Sequence, residues 1–154
     1  RFKLDEPWDG PTNRGLVARM PKLFAPPPPT TAGAGRTFSR GFSHEGAAFG
    51  LPRRPLLGWM PLSNISAPIS DVLVVVDAGI PIEWTKPDQM VWNPGQKRPA
   101  LGGLLPGDEA FLAISADGQV HEIRRTLPDE TLRSLFETRD QKRPGLRITG
   151  ENRR

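Results

Sequence analysis

At 154 residues the chain is long enough for one domain with its own core, and the absence of cysteine excludes disulfides, thiolate metal sites and cysteine nucleophiles. Eighteen prolines and sixteen glycines make up more than a fifth of the chain, and hydrophobic content is only 36%, which predicts a modest core wrapped in irregular segments. The net charge of +4 resides in residues 139–154, where six basic side chains meet two acidic ones; a nucleic-acid groove needs its basic residues on the folded body with stacking aromatics between them.

The expected organisation is therefore a single globular domain, residues 1–138, followed by a flexible basic tail, 139–154, with no nucleic-acid partner. No apolar run approaches the ~20 residues of a membrane helix. Arg1-Phe2-Lys3 reads as the interior of a longer chain rather than a natural start.

Along the chain, Thr12 or Asn13 can cap a short helix whose Leu16, Val17 and Met20 share one face. Met20-Pro21 ends it, because the residue before proline is pushed out of the helical region. Residues 26–35 combine a polyproline run with Thr30–Gly35 and read as a surface loop. Arg36–Phe42 alternates and predicts an edge strand. Ser43–Pro68 is loop-like. Val72–Val76, five branched aliphatics between Asp71 and Asp77, predicts a strand buried on both faces. Ile80–Pro106 reads as mostly irregular.

Asp117-Gly118 marks a two-residue hairpin turn within Phe111–Arg124. That register sets Leu112 opposite Ile123, Ile114 opposite His121 and Ser115 opposite Val120, with Leu112, Ile114 and Ile123 on the core face. Thr126-Leu127-Pro128-Asp129 then predicts a capped helix over 127–138 with Leu132, Leu135 and Phe136 as its apolar stripe. Helix on antiparallel sheet, with long Pro/Gly-rich loops, is an α+β domain.

The residues offer little chemistry. Of the two histidines, His121 reads as a strand residue and His44 as a loop residue, and no Gly-x-Ser-x-Gly elbow exists. Asp5, Glu6 and Asp9 cluster, as do Asp108, Glu109 and Asp117. The second group is a candidate calcium site, calcium being the one cofactor the sequence suggests, although its spacing is not that of an EF-hand. Trp84-Thr85-Lys86-Pro87 is the most distinctive motif. Its tryptophan either pins a loop to the sheet or, with Lys86 and Trp92, presents a partner-binding surface.

Several segments together resemble a known family. Phe2-Lys3-Leu4-Asp5-Glu6-Pro7-Trp8-Asp9, Asn13, Met20-Pro21, Val74-Val75-Val76-Asp77-Ala78-Gly79, Trp84-Thr85-Lys86-Pro87-Asp88, Leu101-Gly102-Gly103, Ala116-Asp117-Gly118 and Thr131-Leu132-Arg133 follow one another in the order of the domain-of-unknown-function family numbered 1559. That family, abundant in planctomycetes, consists of prepilin-type proteins resembling secretion pseudopilins: an apolar N-terminal helix, then an α+β head. The resemblance implies export to the cell envelope, tethering through a pilin helix not contained in this sequence, and other envelope or pilin-like subunits as partners. It carries over no catalytic residue. The chain departs from the family at Gly107, where many members have a histidine separated by nine residues from the Asp-Gly turn, and at Asp77, often glutamate.

The expected function is thus a non-catalytic structural or assembly role in the envelope. The alternative is an extracytoplasmic binding module recognising glycan, calcium or a protein through loops around Trp84 and Asp108.

Overall fold

The computed structural model describes residues 1–28, 30, 32–44, 46–49, 65–104, 107 and 109–139. The valine run forms the centre of the sheet. It opens β2 (Leu73–Glu83), which lies between β1 (Arg36–Arg40) and β3 (Ala110–Ser115), and β3 continues into β4 (Val120–Arg124). The order is β1-β2-β3-β4 and every neighbouring pair is antiparallel. With the short helix α1 (Asp129–Ser134) this makes a small α+β domain.

β2 runs seven residues beyond the valines, through a stretch whose proline and glycine predicted irregular chain. Thr37 pairs with Ile82 but Ser39 pairs with Asp77, so residues 78–81 leave the β1 ladder. There Ala78 bridges to Leu101, and the Gly79 N–H donates to the Ala100 carbonyl at 2.7 Å. Pro81 cannot donate to a ladder, and this excursion is where it sits; Arg36 Nη2 donates to its carbonyl at 2.6 Å. A second irregularity lies between Leu73 and Val75, which pair with the consecutive residues Ser115 and Ile114. The extra residue brings Leu73 and Val76, three apart, onto one buried face.

The hairpin forms where expected but one residue out of the predicted register. Phe111 pairs with Ile123, Leu112 with Glu122, Ala113 with His121 and Ile114 with Val120. The loop has three residues rather than two, because Ser115 N–H donates to the Gln119 carbonyl and Gly118 N–H to the Ser115 carbonyl. A tight turn followed by one residue of positive φ is the common three-residue solution, and Gly118 supplies it at φ 85°. A one-residue slip exchanges the faces. Phe111, Ala113 and Ile123 are therefore buried, whereas Ile114, expected inside, is exposed and Leu112 only half-buried.

Gly118→Ala has open space for its Cβ, so its cost is backbone strain alone. A loss of about 1–2 kcal/mol is expected in chemical denaturation, and Gly118→Asn, which tolerates the left-handed region, should lose much less.

The C-terminal helix is shorter than the predicted 127–138 and begins with Pro128 at its cap, with no side-chain cap bond. Arg98 takes over that end. Its Nη1 donates to the Arg125 carbonyl at 2.7 Å, its Nε to the Asp129 carboxylate at 2.7 Å, and its Nη2 to the Leu127 carbonyl and Asp129. Leu132, Leu135 and Phe136 are buried as the stripe predicted. They pack with Phe42, Leu73, Val76, Met90, Trp92, Leu101, Phe111 and Ile123 in one core.

The N-terminal segment is not α-helical. It forms 3-10 turns at Asn13–Arg19 and Lys22–Phe24, and Thr12 makes no side-chain cap bond. The cap comes from Glu6, whose Oε1 accepts from the N–H groups of Thr12 (2.6 Å) and Asn13 (3.1 Å). Burial pushes the Glu6 carboxyl up, but these hydrogen bonds and Lys3 outweigh it and hold the carboxyl below its usual range. Asn13, only 1% exposed, closes the turn before it. Its Oδ1 accepts from Lys3 N–H at 2.8 Å, and its Nδ2 reaches the carbonyls of Lys3, Glu6 and Pro7 at 2.9, 3.1 and 2.9 Å.

Candidate functional site

Trp84 holds the N-terminal segment against the end of β2. Its Nε1–H donates to the Val17 carbonyl at 3.0 Å. Its ring stacks on Phe24 (centroids 5.6 Å, 24° between planes) and meets Phe2 edge-on at 5.6 Å. Lys86 pairs with Asp88 at 3.0 Å, and Asp88 also receives Arg40 at 3.1 Å. Such surface pairs contribute about 0–1 kcal/mol each, and they close the turn that follows Trp84.

Trp92 is not a surface residue at all. It is 1% exposed, packed on Phe42 (6.0 Å) with the Arg133 guanidinium 4.5 Å from its ring centroid, and its Nε1–H donates to the Gln96 carbonyl at 3.1 Å. The expectation of a partner surface at Trp92 is corrected: aliphatic side chains are few, so the large ring is drawn into the core.

Of the calcium candidates, Asp108 lies outside the described residues and Glu109 is exposed. The Asp117 carboxylate accepts from the Ser115 hydroxyl and from Gln119 N–H, which hold it below the usual carboxylate range. Among the described residues no three His, Asp or Glu side chains converge as a metal site requires.

Sequence reasoning did not anticipate that Ser115, Asp117 and His121 would meet. His121 Nε2 lies 2.8 Å from Ser115 Oγ, whose proton goes to Asp117. In a nucleophilic triad the imidazole takes the serine proton and the acid holds the imidazole's other nitrogen. Here the acid holds the serine directly, and Ser115 is 1% exposed. The trio clasps the hairpin end.

Asp77, 3% exposed, is the one buried acid among the described residues. It faces away from Val76 and accepts Leu104 N–H on both oxygens (3.0 and 3.1 Å). The Gly102 and Gly103 N–H groups donate to the carbonyls of Asp77 and Ala78. A Cβ on Gly103 would fall 2.3 Å from the Phe38 ring and 2.6 Å from the Ala78 carbonyl oxygen, so glycine is obligatory there. Arg125 fastens the same segment from outside, donating to the Leu101 and Gly102 carbonyls at 2.6 and 3.0 Å.

Burial raises the Asp77 carboxyl above its ordinary value of 3.8, against the opposing pull of the Leu104 and Gly103 N–H groups and Arg125. The folded state therefore holds this proton more tightly than the unfolded chain does. Its stabilising contribution is complete below the unfolded pKa and is lost as pH rises through the folded one. Thermal unfolding across mildly acidic pH should show the stability of wild type relative to Asp77→Asn falling through this window, then levelling. A difference independent of pH would contradict the assignment.

One concave site brings together side chains from distant parts of the chain. A cleft of about 390 Å³ opens between the first turn (Trp8, Asp9), the 3-10 helix (Arg14, Val17) and the end of β2 (Glu83), with Ala34 also in its lining. It exists because Trp84 and Asn13 fix the N-terminal segment beside the sheet edge. A broader polar groove of about 840 Å³ runs along α1 past Gln96, Glu130 and Glu137. No helix among the described residues is long and apolar enough to cross a membrane. No protein-family model matches the chain, and comparison with curated proteins and with solved structures finds no match.

Proposed function

We propose that this domain is a non-catalytic structural head of the cell envelope, pseudopilin-like in kind and related to the prepilin-type family its motifs resemble. The observation that carries the reading is where the motif residues go. Asn13 and Glu6 tie the first turn, Trp84 anchors that turn to β2, Asp77 with Gly102-Gly103 secures the crossing segment, and Asp117 with Gly118 closes the hairpin. A chain selected for chemistry concentrates such residues around a cleft with convergent titratable groups. In this one the distinctive residues act as internal fasteners of an antiparallel sheet, as a head that must keep its shape within an assembly requires.

The test is cellular. Expressed from its complete gene, the protein should sediment with membranes and be digested by protease added outside the cytoplasmic membrane. Full protection by that membrane would overturn the reading.

A further inference from the structure

The cleft beside Trp84 has a composition that the internal fastening does not use. Trp8, half-buried, makes no ring contact with another aromatic among the described residues. Asp9, Arg14 and Glu83 line the same space, yet among the described residues none has a side-chain hydrogen bond or an ion pair. They come from three separate segments: Asp9 sits on the first turn, Arg14 on the 3-10 helix and Glu83 at the end of β2. Their backbone is fixed by the Asn13 clasp and by the Trp84–Val17 hydrogen bond.

We infer that this cleft is a binding site for a saccharide unit. An indole face offers an apolar platform for the C–H face of a sugar ring and an N–H donor at its edge. Carboxylates only accept and a guanidinium only donates, so Asp9, Glu83 and Arg14 bring both roles to the cleft that Trp8 lines. Sugar hydroxyls, each donor and acceptor at once, satisfy such a mixed set. A simple anion would meet two carboxylates, and a simple cation would meet Arg14. The volume of about 390 Å³ falls within the range of roughly 300–1,000 Å³ for small-ligand sites. The site is independent of the assembly role: a structural head could carry it to hold envelope glycan, and a head without it would still assemble.

The test is an amide and indole NMR titration of the full 154-residue chain with glucose, galactose, N-acetylglucosamine and disaccharides of each at millimolar concentration. At least one probe should saturate, with shifts centred on the Trp8 indole and the Arg14 and Glu83 amides, while the buried Trp92 and Ile123 signals stay in place. Trp8→Ala and Glu83→Gln should each weaken that binding about tenfold or more, equivalent to ~1.4 kcal/mol, and Trp8→Phe should retain most of it. All of these positions are at least partly exposed, so the variants should keep the wild-type spectrum of the core. The inference is overturned if no sugar saturates, if the shifts lie elsewhere, or if the variants bind as wild type does. Tighter binding of acetate or of a lysine ester at the same residues would also overturn it, by assigning the cleft to a simple ion.

Discussion

Trp92→Ala is expected to lose about 3–5 kcal/mol of folding stability, the range for removing a large buried aromatic. The ring is 1% exposed and has four neighbours to lose: Phe42 on one side, the guanidinium of Arg133 at 4.5 Å, that of Arg98 at 5.9 Å, and the Gln96 carbonyl on its N–H. A domain of this size has only about 5–15 kcal/mol in total, so the variant should unfold at markedly lower denaturant. Trp92→Phe keeps the aromatic contact and gives up the hydrogen bond and part of the volume, so its loss should be well under that of alanine. Urea denaturation of the three proteins measures this. An alanine variant within about 1 kcal/mol of wild type would mean that Trp92 is a surface anchor, the role its sequence context suggested.

Asn13→Ala should act locally and nearly as strongly. Removing this side chain leaves the Lys3 N–H and three backbone carbonyls without their partner, at about 1–3 kcal/mol for each group that stays buried. The turn can open to water instead, so the expected cost is about 2–4 kcal/mol, the price of opening residues 3–13. Asn13→Asp sharpens the test. It preserves the acceptor for Lys3 N–H but turns an oxygen toward the carbonyls that Nδ2 now serves, so it should be no better than alanine. Hydrogen exchange at Thr12 and Asn13 N–H, which Glu6 receives, should accelerate in both variants, while the β3–β4 amides keep their protection. Unchanged exchange in the N-terminal segment would contradict the clasp.

The sequence announced those elements whose signals are local. The alternation over Arg36–Phe42, whose strand ends at Arg40, the valine run, the Asp-Gly turn and the Leu132, Leu135, Phe136 stripe all mark elements that form. The hairpin register was beyond reach for a definite reason. Asp117-Gly118 shows which residue takes positive φ, but whether Ala116 joins the loop is decided by Ser115 bonding to Gln119. One residue then moves Phe111 and Ala113 to the core and Ile114 out of it.

Other features depend on contacts far along the chain. Asp77 after five apolar residues reads as the end of a strand, and the Leu104 N–H that lets the strand continue is 27 residues away. Pro81 reads as a breaker, and only the pairing of Ala78 with Leu101 gives it a place within β2. The cleft was illegible for the same reason: Glu83 shares a cleft with Trp8 and Arg14, and the N-terminal segment that carries them is held beside β2 by Trp84 docking on Val17. Trp84 was legible as an anchor in kind, through its motif, but not in what it anchors.

The most direct test of the envelope-head account is the intact mass and N-terminal sequence of the native protein recovered from its membranes. The account predicts that a processed apolar helix of about 20 residues leads into the Arg1–Trp8 segment. A native protein in which that segment follows a soluble domain, or is itself the start of the chain, would contradict the pseudopilin-like reading.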